Sequence, residues 1–224
     1  MARIAGTSSD GTRTRILDAA RAEFTERTYA GTTIRHIAEK AGITTAALYY
    51  HFASKEALLD AVVEPAIDTL SAFAVTAAAA HPCAAGEKAA LVRQLVDIQA
   101  ANLNVFRVLM RDPSAVKALG DEHQIKRVLG RVEAALADSS DPLVLLRHRC
   151  ALGAINGGLA LTAHAREAAE GPAAHLHPVT LSPDELRVIA SAALAVLGIP
   201  DATGTPVASE EPARIGAGSS DATI

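Results

Sequence analysis

The stretch that most constrains this chain is Thr32 to Leu59, TTIRHIAEKAGITTAALYYHFASKEALL, where two short helical patterns meet at a single glycine. Apolar Ile34, Ile37, Ala38 and Ala41 fall at 0, +3, +4 and +7, the spacing of one buried helical stripe. Gly42 stops that helix, because a residue without a Cβ enters the left-handed conformation freely and turns the chain. Ile43 then plugs the angle, and the Thr44 hydroxyl caps a second helix, Thr45 to His51, too short to be stable alone. Ser54 caps a further helix that begins at Lys55. The whole reads as a helix-turn-helix packed against neighbours.

What the second helix leaves outward defines its chemistry. Thr44, Thr45, Tyr49, Tyr50 and His51 offer hydroxyls and an imidazole without the bulk that would bar entry to a DNA major groove, and the small Ala46 is expected to join them at the DNA. A helix dipole disfavours a cation in the first turn, so Lys55 is expected to have a phosphate neighbour. At Thr32-Thr33-Ile34-Arg35, Ile37-Ala38, Ala41-Gly42-Ile43-Thr44, Leu48-Tyr49-Tyr50-His51-Phe52 and Ser54-Lys55-Glu56-Ala57-Leu58 the chain resembles the TetR family of bacterial transcriptional regulators. The resemblance covers about the first sixty residues. It implies that Tyr49 and Tyr50 reach phosphates and base edges, with Thr33 beside them. Thr45 stands where many relatives carry Lys or Arg, so the guanine contact falls to Arg35 instead. Thr28 stands where the family usually has glycine, and Gly31 is expected to supply that bend.

Charge supports a polyanionic partner despite a net −4. Residues 1–55 hold eight Lys/Arg against five Asp/Glu, or +3; the remainder holds thirteen against twenty, or −7. A basic head on an acidic body orients toward DNA. The expected organisation is all-α: a helix-turn-helix head over residues 1–53, a helical effector-binding and dimerisation body over 54–199, and a disordered tail over 200–224, rich in Pro, Gly, Ser, Thr and Glu. No apolar run approaches the roughly 18 residues that span a bilayer, and no signal peptide precedes the head, so a soluble cytoplasmic protein is expected. Cys83 and Cys150 lack metal-ligand spacing and read as small buried hydrophobes, with a redox pair as the alternative.

In order, a loose basic arm at 1–11 leads into a first helix at about Thr12 to Arg27, then the helix-turn-helix, whose core Phe52 should plug. A long rod from Ser54 to Ala79 is expected to kink at Pro65. After the breaker cluster 81–86 the helical pattern resumes over Glu87 to Arg111, interrupted near Asn102, which could cap a second helix. Leu95, Gln99, Asn102 and Phe106 form one stripe, and with Met110, His148 and Asn156 make the candidate effector pocket. Asp112-Pro113 and Asp141-Pro142 start two more helices, to about Ala137 and Ala168. Gly153, Gly157 and Ala160 allow close approach of another helix. Ser182-Pro183-Asp184-Glu185 opens the last helix with a capping box, and its stripe is Leu186, Ile189, Ala190, Ala193 and Leu197. The resemblance implies that these two final helices pair with their copies as a homodimer, using Gly153, Gly157, Ala160, Leu186, Ile189, Ala193 and Leu197.

No phosphate loop or nucleophile motif is present, and His175-x-His177 lacks the further ligands a metal needs, so no enzyme activity, cofactor or metal is expected. The reading is a repressor that binds a near-palindromic double-stranded operator and is released by a small-molecule effector. The alternatives are an activator, a regulator answering to a protein, and an enzyme on a helical scaffold.

Overall fold

The computed structural model describes residues 9–80, 84–119, 122–137, 139–170 and 180–201, and these form ten helices without a strand among them. The head comprises α1 (Ser9–Gly31), α2 (Ile34–Lys40) and α3 (Thr45–His51). Gly42, at φ 65°, makes the expected turn, and the Thr44 hydroxyl accepts the Ala47 N–H as the cap of α3. Ile16, Phe24, Ile37, Leu48 and Phe52 fill the head's core. The buried Glu23 carboxylate meets Arg27 Nε at 2.9 Å and Lys40 Nζ at 3.2 Å, tying α1 to α2.

The first helix departs from expectation at both ends. It starts at Ser9, three residues before the expected Thr12. Its bend lies at Thr28, not Gly31: Thr28 takes φ 66°, ψ 164°, and is the sole non-glycine residue with positive φ among those described. That combination belongs to the region populated almost only by glycine. Thr28 therefore holds, with a Cβ, a conformation that glycine would hold without one.

The body begins with α4 (Lys55–Ala80), which runs through Pro65 as one helix. Next come α5 (Ala85–Ala101) and α6 (Leu103–Arg111), parted at Asn102 as expected. Asn102 does not cap α6 with its side chain, because its Nδ2 donates back to Ile98 O at 2.9 Å. The single helix expected after Asp112 is divided into α7 (Pro113–Ala118) and α8 (Glu122–Ala137). α9 (Pro142–Glu170) and α10 (Pro183–Leu197) complete the body, the latter opened by the Ser182–Glu185 capping box and closed by Gly198 at φ 71°. α4 packs along α8, and α10 lies against both α9 and α5. Buried side chains from Ile16 in the head to Leu194 in α10 join in one apolar cluster. The tail beyond 201, His175, His177 and Cys83 lie outside the described residues. Cys150 is exposed on α9, a correction to its expected burial: the buried stripe of that helix runs Ala151, Ile155, Leu159 and Ala163, and Cys150 falls outside it.

Candidate functional site

α3 projects from the head because its apolar positions are spent inward: Leu48 is fully buried and Phe52 nearly so. Thr44, Thr45 and Ala46 are exposed at its start, Tyr49 and Tyr50 along its outer face, and Tyr50 is 85% exposed. The half-buried His51 ring meets Tyr50 edge-on at 5.4 Å, which steadies the end of this face. Arg35, in the first turn of α2, is exposed and holds Glu39 at 2.8 Å across one helical turn. Thr33 is the α2 cap, accepting the His36 N–H at 3.2 Å. These side chains present hydroxyls, an imidazole and a guanidinium over a surface a helix-wide groove can accept.

Lys55 is placed otherwise than expected. Its ammonium donates to Tyr29 O and Thr32 O, both at 2.8 Å, and lies 4.1 Å from the centroid of the Tyr29 ring. The first-turn cation thus bonds backbone carbonyls where the chain leaves α1, and burial pulls its pKa below the usual lysine value. Tyr29 in turn donates to Glu56 Oε1 at 3.0 Å, and burial followed by that acidic neighbour pushes its phenol pKa up.

The same bend connects head to body. With the α1 ladder interrupted at Thr28, the Ala30 N–H donates to Asp112 Oδ2 at 2.7 Å. Asp112 caps α7, accepting Ser114 N at 2.9 Å and Ser114 Oγ at 2.6 Å. Desolvation alone would raise the Asp112 pKa, but these donors outweigh it and hold the carboxyl below its usual range. α6, which ends at Asp112, also packs on α1.

Along its length, from Leu103 to Arg111, α6 also walls a cavity of about 410 Å³ with α5 and α9. Leu103, Phe106 and Met110 of α6, Gln99 of α5, and Asn156, Leu159 and Ala160 of α9 line it. Leu159 and Gln99 are buried, whereas Met110 and Leu161 are largely exposed at its mouth. Arg107, only 6% exposed, crosses to Glu167 through paired bonds of 2.5 and 2.8 Å, bracing α6 against α9. A second cleft of about 660 Å³ lies between α1, α4 and the α5–α6 junction, beside Pro65 and Asn102.

Residues 16–62 match the family model described as bacterial regulatory proteins, tetR family. The transcriptional repressor KstR2 of Rhodococcus jostii is 45% identical over 60 residues, which is 27% of this chain and 29% of that protein. The regulator UidR of Escherichia coli is 42% identical over 57 residues, 25% and 29% of the two chains. The chain thus matches under a third of the length of these two relatives. At the level of the whole fold, the TetR-family protein SCO3833 of Streptomyces coelicolor superposes with a TM-score of 0.59 at 25% identity, covering 90% of this chain and 94% of that one. Residues 16–62 thus match the TetR family, and the chain as a whole shares the all-helical fold of TetR-family structures. A TetR-family regulator of Bordetella parapertussis shares the fold at a TM-score of 0.61 and 18% identity, over 85% and 95% of the two chains.

As a TetR-family head, residues 16–62 take in Thr33, Arg35, α3 and Lys55 within one matched segment. In the body the agreement is selective. Gln99, Phe106, Met110 and Asn156 line the α5–α6–α9 cavity as the stripe suggested. Leu95 does not, being fully buried in the core, and Asn102 faces the second cleft. His148 is structural: its ring nitrogens lie 2.8 Å from Val144 O and 3.1 Å from Leu136 O, linking α9 to α8. Leu103, Arg107, Leu159 and His164 were missed; Arg107 carried no signal, since its partner is 60 residues away.

Two of the expected dimer residues need correction. Ile189 and Ala193 are buried within the chain, because α10 turns that stripe onto its own α9 and α5. Leu186 and Leu197 are partly buried against the same core. Gly157 and Ala160 border the cavity, and a Cβ on Gly153 or Gly157 would meet nothing within 4 Å. The glycine that permits close helix approach is Gly158, where a Cβ would lie 3.0 Å from Ile189 Cγ1. Left outward instead are Leu143, Leu146 and Leu161 on α9 and Val188 and Val196 on α10.

Proposed function

We propose that this chain is a repressor that binds a near-palindromic operator as a homodimer in the cytoplasm and is released by a small molecule entering the body. The observation that carries the reading is the outward presentation of Thr44, Thr45, Tyr49 and Tyr50 on a capped, well-supported α3, on the basic part of the chain. Arg35 reads a base pair once it leaves Glu39, and Thr33, Ala46 and His51 flank the contact. Lys55 supports this surface from behind. Relatives named as repressors favour repression over activation.

The homodimer is supported by the exposed rows of α9 and α10, Leu143, Leu146, Leu161, Val188 and Val196, apolar area that a second copy would remove from water. Two-fold symmetry then places half-sites about 34 Å, or a multiple, apart along the duplex. Release is supported by α6, which walls the cavity along its length and whose C-cap, Asp112, accepts the Ala30 N–H. A ligand that prefers a shifted α6 moves the head with it; a ligand without such a preference changes nothing.

The test is a gel-shift on the DNA upstream of the chain's own gene across a range of salt. Specific, salt-sensitive binding by the wild type, reduced by Tyr49→Phe and altered at one base pair by Arg35→Ala, is expected. Val188→Glu combined with Val196→Glu should halve the mass seen by light scattering. Absence of any protected sequence at modest ionic strength would refute the operator reading.

A further inference from the structure

One buried polar group in the cavity has no task within the chain. Gln99 is 4% exposed and lines the cavity, and its Oε1 has no hydrogen-bond partner among the described residues. Leaving such a group unsatisfied costs about 1–3 kcal/mol, so a ligand that completes it gains what the free protein lacks. The surrounding walls are mainly apolar, Leu103, Phe106, Met110 and Leu159, with the half-buried Asn156 as the other neutral polar side chain. The other buried polar group of the site is already satisfied, because the Arg107 fork closes on both oxygens of Glu167. A carboxylate or phosphate seeking Arg107 would have to expel Glu167 and strand its charge in a mostly enclosed place, at a cost of several kcal/mol. Arg111, the remaining cation, stands exposed in the lining, where water and salt weaken a charge pair.

We propose that the effector is a neutral, largely apolar molecule bearing a hydroxyl, whose apolar part fills the α5–α6–α9 cavity and whose hydroxyl bonds to the Gln99 amide. A hydroxyl both donates and accepts, so it meets that amide in either orientation. The cavity's volume of about 410 Å³ suits a small molecule rather than a peptide. The inference rests on the effector reading above and adds the ligand's chemical class.

The experiment is isothermal titration of the full-length protein with two matched sets: decan-1-ol, its methyl ether and decanoate; and 4-phenylphenol, 4-methoxybiphenyl and biphenyl-4-carboxylate. In at least one set the hydroxyl compound should bind about tenfold tighter than its ether and its carboxylate. Gln99→Leu should erase the difference between alcohol and ether. A carboxylate that binds best, equal affinity of alcohol and ether, or an alcohol preference that survives Gln99→Leu would overturn the chemical class while keeping the cavity as a ligand site. Failure of all six to bind would overturn the effector reading of the cavity as well. The wild-type ranking decides the matter even where Gln99→Leu does not fold.

Discussion

Thr28 holds a conformation in which any Cβ is crowded, and replacing it isolates that cost. At φ 66°, ψ 164° a non-glycine residue stores about 1–3 kcal/mol. Thr28→Gly removes the strain but adds roughly 0.5–1 kcal/mol of unfolded-state entropy. It also loses the hydroxyl, which accepts a long 3.4 Å bond from Gly31 N and donates to Asp112. Thr28→Ala loses the same hydroxyl and keeps the Cβ, so the two variants differ only in strain and glycine entropy. Thr28→Gly should therefore be more stable than Thr28→Ala by about 0.5–2 kcal/mol, the reverse of the order at an ordinary helical site. In a chain of this size that is a gap of a few degrees in Tm, on the order of 1–8 °C. Urea and thermal denaturation followed by far-UV circular dichroism, at one protein concentration, would measure it. If Thr28→Ala is equally stable or more so, the bend is not strained and the account of α1 fails.

Lys55→Met removes two charge-assisted bonds to carbonyls and should cost about 1.5–3 kcal/mol of stability. Its folded fraction should keep the wild-type salt dependence of DNA binding, whereas a phosphate contact would lower the log–log slope by about one. Asp112, whose folded pKa is depressed, contributes stability that is fully present above its unfolded value of about 3.9 and is lost as pH falls through the lower folded value. Asp112→Asn should flatten that acid limb in stability measured from pH 7 down to 2, and an unchanged limb would place the acid sensitivity elsewhere. Gly130→Ala, on an exposed position of α8 with nothing within 4 Å, should gain up to about 1 kcal/mol from helix propensity. Gly158→Ala should gain less or lose stability, because Ile189 stands 3.0 Å from the new methyl group; equal gains in chemical denaturation would contradict the close α9–α10 approach.

The sequence by itself determined what depends on neighbours within about one helical turn. The limits of α3, its Thr44 cap, the Gly42 turn, the break at Asn102 and the Ser182–Glu185 box all involve residues at most four apart, and each was readable as a pattern. The outward set on α3 was equally legible, since burying Leu48 fixes which side faces away. Tertiary structure alone decided what the helices do with their faces. The α10 stripe was correctly identified as apolar, but only packing against α9 and α5 makes it a core face rather than a dimer face. Lys55 found carbonyls 23 and 26 residues back in the chain, and Arg107 a carboxylate 60 residues on. Partners so distant leave no periodic trace, because helical spacing records that a side is apolar and carries no information about which surface will cover it.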